Sequence, residues 1–214
     1  MFGKKRKFEV LKNGIEIEKY LYNIENRNLI RKQYNIKDDE ILLGLVANFV
    51  LPKNHSFLID LFKEYKHTNP KAKLLLIGQG ELKEDIIEKV NKYNLTDSVI
   101  FAGSCDSSKY YSAFDLFIMT SRYEGLPFVA LEAQASACPC LLTDIITKEC
   151  KITDFANFIS SEASINEWIE TITTILKNNK SDRASFKDYI NEAYSEAGYN
   201  IKNSSKRLAE IYSE

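Results

Sequence analysis

Histidine and cysteine are scarce: two and four in 214 residues. His55 and His67 lie far from Cys105, Cys138, Cys140 and Cys150, whereas structural zinc needs paired Cys-x2-4-Cys or nearby histidines. No metal and no metal cofactor are therefore expected. Cys138 and Cys140 fall in the apolar run from Ala137 to Leu142, where a small thiol packs naturally, so reduced core cysteines are expected. Net charge is also in short supply, since 29 basic residues face 30 acidic ones for a formal charge of -1. Without an overall positive field there is nothing to hold DNA or RNA, and nucleic acid is not an expected partner. The basic run Lys4-Lys5-Arg6-Lys7 lacks the long apolar stretch that a signal peptide or membrane anchor would place after it. It reads as a solvated terminus, and the expected location is the cytoplasm. No internal repeat, low-complexity segment or Gly/Ser or Pro linker splits the chain into two folded units.

What is present is enough for one core, at 44% hydrophobic and 28% charged residues. From Ile41 onward, short continuous apolar runs alternate with segments of helical period, as in an α/β fold with a parallel sheet covered by helices. Strands are expected at Leu42 to Ala47, Leu74 to Ile77, Val99 to Ala102, Leu116 to Met119 and Cys140 to Thr143, with a sixth near Phe158 to Ser160. Between the first two, Phe57, Leu58, Leu61, Phe62 and Tyr65 make one apolar stripe on a helix starting near Asn54. Leu82, Ile86, Ile87, Val90 and Tyr93 make a second crossover helix. Phe128 to Ala137 is apolar and small all round, as suits a short helix wedged on the sheet. Cover helices follow around Ile165 to Leu176, Phe186 to Tyr194 and Ile201 to Tyr212. Residues 1–40 are polar and read as a peripheral strand and helix, leaving 41–214 as the folded domain.

Chemistry concentrates in Thr120-Ser121-Arg122-Tyr123-Glu124-Gly125-Leu126-Pro127-Phe128, which follows a strand and opens a helix. Pro127 stands where its missing N–H is harmless. Turns of this kind lie at the carboxyl edge of a parallel sheet, where the free amides at the helix start favour a phosphate. Ser121 and the amides of Gly125, Leu126, Pro127 and Phe128 are thus candidate ligand-binding groups. Glu132, the one charge on the buried helix, needs a partner; it can accept two hydrogen bonds from a ribose diol, or cap a neighbouring helix, or pair with a lysine. Glu124 would face whatever lies beyond the phosphates. Lys53, at the next helix start, can reach a diphosphate or remain a surface lysine. Gly78 and Gly80 after the second strand, and Gly103 and Ser104 after the third, suit close approach to a ligand or plain turns.

Taken together, Gly44-Leu45-Val46-Ala47-Asn48-Phe49 with Pro52-Lys53-Asn54-His55, Leu76-Ile77-Gly78-Gln79-Gly80, Phe101-Ala102-Gly103, and Glu124-Gly125-Leu126-Pro127 ending in Leu131-Glu132-Ala133 form a pattern. It resembles the C-terminal half of family 4 glycosyltransferases of the GT-B fold, of the bacterial capsule and exopolysaccharide type. The likeness runs from about Phe8 to the end, with Gly198-Tyr199-Asn200 matching the terminal helix region. It implies a Rossmann-like domain that binds a nucleotide diphosphate sugar, commonly a uridine one, for transfer of a hexose with retention and no required metal. Carried over by position, Lys53 would hold the diphosphate, Glu132 the ribose, Glu124 the sugar, and the amides of Gly125 to Phe128 the sugar and phosphate. Ala47-Asn48 stand where the family usually has Gly-Arg, so one expected cation is missing. Asn13-Gly14-Ile15 resembles an interdomain junction, which leads to the expectation of a separately encoded N-terminal acceptor half. The same resemblance implies peripheral association with the inner face of the membrane through a lipid-linked acceptor. A non-catalytic nucleotide-sugar-binding or scaffold role is the alternative. A dinucleotide oxidoreductase is disfavoured because no Gly-x-Gly-x-x-Gly follows the first strand.

Overall fold

The computed structural model describes residues 9–178 and 182–213; the basic run Lys4 to Lys7 lies outside them. The apolar runs become six parallel strands: β1 Leu42–Val46, β2 Lys73–Ile77, β3 Val99–Gly103, β4 Leu116–Met119, β5 Cys140–Thr143 and β6 Ala156–Ile159. They form one sheet in the order β3-β2-β1-β4-β5-β6. β4 and β5 are buried along their whole length, which is why they read as unbroken apolar tetrapeptides. Leu43 sits opposite both Leu74 and Leu116, tying the centre together. β6 begins at Ala156, earlier than the apolar pattern suggests, because Asn157 pairs with Leu141 while its amide donates to the Cys140 carbonyl at 3.3 Å. An edge strand with a half-buried middle has no continuous run to betray it.

In chain order the helices are α1 Ile17–Tyr20, α2 Ile24–Gln33, α3 His55–Thr68, α4 Lys83–Lys92, α5 Tyr110–Ala113, α6 Phe128–Ala135, α7 Ile165–Asn178, α8 Lys187–Glu196 and α9 Ile201–Ser213. The stripe on α3 is inward, with Leu58, Ile59, Leu61, Phe62 and Tyr65 all buried. α6 stops at Ala135, since Ala137 takes a left-handed φ of 47° that a continuing helix does not allow. Three cysteines, Cys138, Cys140 and Cys150, are buried free thiols, and burial pushes the Cys138 thiol up to about 11; Cys105 is exposed. α9 departs from the expected cover role: none of its side chains is buried, and it is tethered by ion pairs of Lys202 with Glu18 and of Arg207 with Glu9.

The first forty residues also depart from expectation. Their strand shrinks to a single bridge between Ile15 and Asn200, and two helices follow. Ile15, Ile17, Ile30 and Ile36 are buried in the same core as the sheet. Arg31, only 3% exposed, donates to Asp115 and to the carbonyls of Lys37 and Glu40. Arg27 takes the other oxygen of Asp115 at 2.8 Å, and the Leu42 amide donates to Asp115 at 2.7 Å. One carboxylate thus joins the N-terminal helices to the start of β1, and a polar-looking segment becomes part of the fold.

Candidate functional site

Strand order reverses between β1 and β4, so the loops leaving these strands diverge and open a cleft at the carboxyl edge of the sheet. The cleft has a volume of about 390 Å³. Asn48 after β1, Gly78 after β2, Ser104 and Cys105 after β3, and the segment around Glu124 after β4 line it, with Lys53. Phe128, the first residue of α6, stands at its edge, so the helix's free amides and the positive end of its dipole belong to this cleft. Gly78 is there for steric reasons. Its φ is +147°, and a Cβ would lie 2.0 Å from the Ala47 carbonyl oxygen, so the loops after β1 and β2 touch backbone to backbone.

Lys53 ends a tight turn over Leu51–Lys53 that the end of β4 holds in place. The Arg122 amide donates to the Pro52 carbonyl at 2.7 Å, and the Thr120 hydroxyl donates to the carbonyls of Lys53 and Asn54. The Lys53 ammonium then donates to Glu124, with the two side chains only 22% and 15% exposed. A cation and an anion are therefore set face to face beside the amides of α6, largely shielded from water. Lys53 is the one basic residue along the described lining, and Asn48 supplies a neutral amide.

Glu132 sits one turn into α6, outside the lining of this cleft. Among the described residues it neither caps a helix nor meets a lysine. Instead Tyr20 donates to one carboxylate oxygen at 3.1 Å and Tyr111 to the other at 2.6 Å. Burial, and then the neighbouring carboxylate, raise both phenols above their ordinary pKa, so they stay protonated and donating. Each carboxylate oxygen retains a second acceptor direction. Neither tyrosine was legible as a partner: they lie 112 and 21 residues from Glu132, and Tyr111 belongs to a four-residue helix with no pattern of its own.

The structure thus brings together Lys53, Gly78, Ser104, Glu124, Leu126, Pro127 and Phe128. Gly125 is exposed in the same loop, with nothing within 4 Å of where its Cβ would be. Gly80 and Gly103 are not in the lining; a Cβ on Gly80 would meet the Phe49 carbonyl oxygen at 2.5 Å, so its role is the loop crossing. Ser121 is buried and faces a different cavity. His55 was not singled out by sequence reasoning. Its ring, 4% exposed, stacks on Phe49 with centroids 4.2 Å apart, and burial together with Lys53 pulls its pKa down to about 4. Among the described residues no group of three His, Cys, Asp or Glu side chains can hold a metal ion, and no helix is long and apolar enough to cross a membrane.

Comparison with known proteins bears on this arrangement. The family described as glycosyl transferases group 1 matches residues 26–193. EpsF of Bacillus subtilis is 31% identical over 210 residues, which cover 97% of this chain and 54% of EpsF. An Escherichia coli enzyme named UDP-Gal:alpha-D-GlcNAc-diphosphoundecaprenol alpha-1,3-galactosyltransferase is 26% identical over 176 residues, 79% of this chain and 45% of that one. The chain spans about half the length of the curated relatives it matches. Among solved structures, Anabaena HepE in complex with UDP and glucose superposes with a TM-score of 0.78 over 96% of this chain and 56% of HepE. At 17% identity that likeness speaks for the fold.

Proposed function

The chain belongs to the glycosyl transferases group 1, and from that premise we propose that its 390 Å³ cleft is the donor site of a retaining hexosyltransferase, taking a nucleoside diphosphate sugar, foremost a uridine one. The observation that carries the reading is the Lys53–Glu124 pair set beside the start of α6, where the strand order reverses. A diphosphate entering there meets one ammonium and the helix amides, which together stabilise the charge that develops on a departing nucleotide. Lys53 changes partner from Glu124 to phosphate, and Glu124 is freed to accept hydroxyls of the sugar. Glu132, held by Tyr20 and Tyr111, uses its remaining acceptor directions for the ribose diol. UDP in HepE and UDP-Gal in the name of the E. coli relative support uridine as the nucleoside. No metal is needed in this scheme. The acceptor surface comes from the further half that the longer relatives carry, and a lipid-linked acceptor would bring the assembly to the inner membrane face.

Calorimetry with UDP on this chain tests the site. Binding is expected to survive chelation of divalent ions, and Glu132→Ala is expected to weaken it by about tenfold or more, as befits loss of charge-assisted hydrogen bonds. Unchanged affinity in that variant would remove the ribose assignment. Transfer by the chain alone is expected to be negligible, because a one-sided cleft cannot orient an acceptor; robust transfer would refute the half-enzyme reading. Asn48, a neutral amide that leaves Lys53 as the one basic residue along the described lining, favours a second reading of binding without transfer. That reading predicts UDP binding and no transfer even when an acceptor half is added.

A further inference from the structure

The turn that carries Lys53 closes on itself through its amides: the Lys53 N–H donates to the Val50 carbonyl at 3.1 Å and the Asn54 N–H to the Leu51 carbonyl at 3.2 Å. Its later carbonyls are held from outside, by the segment that leaves β4. The Arg122 amide donates to Pro52 at 2.7 Å, and the Thr120 hydroxyl reaches Lys53 at 3.3 Å and Asn54 at 3.2 Å. Asn54 sits in the left-handed region at φ 55° and its side chain makes no cap of its own, so the hold on its backbone comes from these neighbours. Thr120 follows the last residue of β4 and is buried, so packing fixes its β-branched side chain in one rotamer. The segment is pinned in turn to β5, where the Thr143 hydroxyl donates to the Ser121 carbonyl at 2.8 Å.

Four residues beyond Thr120, the same segment presents Glu124, the partner of the Lys53 ammonium. The root of the lysine and its counter-ion therefore rest on one element. A lysine stem is long and flexible, so the ammonium can pass from Glu124 to an incoming phosphate while the backbone stays where Thr120 holds it. Fixing the root in advance removes one ordering cost from binding. The Arg122 clamp is a main-chain amide that side-chain substitution leaves in place, whereas the Thr120 hydroxyl can be removed alone. We propose that Thr120 is a positioning residue for Lys53: its hydroxyl fixes the point from which the ammonium engages a diphosphate, and so favours the phosphates of the ligand over its nucleoside. The proposal rests on the donor-site reading.

Titrations with UDP and with uridine, followed by NMR of the nitrogen-15-labelled chain, separate the two contributions. Thr120→Val keeps the branched shape and drops the hydroxyl; it is expected to weaken UDP about fivefold, the worth of one hydrogen bond, and to leave uridine unchanged. Thr120→Ser is expected to keep the parent's affinity for both. In a Lys53→Ala chain, adding Thr120→Val is expected to cost UDP nothing further, because the lysine it acts through is gone. Tm is expected to fall by roughly 2–4 °C in Thr120→Val, and Thr120→Ala takes its place if the added methyl prevents folding. Equal losses for UDP and uridine, or a loss that persists beside Lys53→Ala, would mean a general loosening of the cleft and overturn the role. UDP binding that ignores the hydroxyl overturns it too and leaves the donor site standing, whereas a parent chain that binds no UDP sinks the donor reading and the role of Thr120 with it.

Discussion

Replacing Tyr111 with phenylalanine removes one oxygen and leaves the buried ring in place, so it isolates what holds Glu132. The lost hydrogen bond is short, at 2.6 Å, and its donor is fully buried. Hydrogen bonds to a charged group contribute about 1.5–3 kcal/mol, and removing one partner leaves the other to bear its desolvation. We expect Tyr111→Phe to cost about 2–3 kcal/mol, which for a chain of this size lowers Tm by roughly 4–12 °C. Tyr20→Phe should cost less, about 1 kcal/mol, because its bond is 3.1 Å long and its side chain is only half-buried. The two together should cost more than their sum, since the carboxylate then has neither partner. Thermal melts followed by circular dichroism give the stability terms, and UDP calorimetry gives the functional one, expected as a several-fold loss of affinity once the carboxylate is free to turn. A Tyr111→Phe chain that melts within about 1 °C of the parent and binds UDP equally well would show that the tyrosines do not hold Glu132.

Two further outcomes follow from groups the site depends on indirectly. A histidine titrates near 6.5 when free and about 4 in the folded chain at His55, so between those values the unfolded chain binds a proton that the native one refuses. The stability is full above 6.5 and falls as acid is added, by 1.36 kcal/mol per pH unit over about 2.5 units (6.5 minus 4), or about 3 kcal/mol. Urea midpoints at pH 7 and pH 4.5 should differ less by most of that amount in His55→Phe, and an unaltered difference would refute it. Asp115→Ala leaves Arg31 buried without its carboxylate and the Leu42 amide without its acceptor. A loss of about 3–5 kcal/mol in urea unfolding is expected, and a loss below about 1 kcal/mol would mean that water replaces the pair.

The sheet was legible wherever burial on both faces forces an unbroken apolar run: β4 and β5 begin and end at the residues that the pattern marks. β6 was displaced because an edge strand can admit Asn157, whose amide finds a carbonyl. On the site side, Lys53, Glu124 and the start of α6 were readable because their chemistry is local to two strand-to-helix turns. Tyr20 and Tyr111 were not, because pairing across 112 residues leaves no trace in spacing. Ser121 shows the limit from the other direction. It lies in the right loop, three residues from Glu124, but it lines the neighbouring cavity together with Thr120 and Arg122. Gly80 was drawn toward a ligand by analogy with Gly78, while its own constraint is the Phe49 backbone.

The two N-terminal helices bear on how this protein can be cut. A fragment trimmed to begin at residue 41, just ahead of the first strand, would look complete by its strand pattern. It would lose Arg27 and Arg31 from Asp115 and Tyr20 from Glu132, stranding one acid at the base of the sheet and another beside the cleft. Such a fragment would keep every recognisable motif and fold poorly, so the smallest piece worth expressing starts upstream of Ile15.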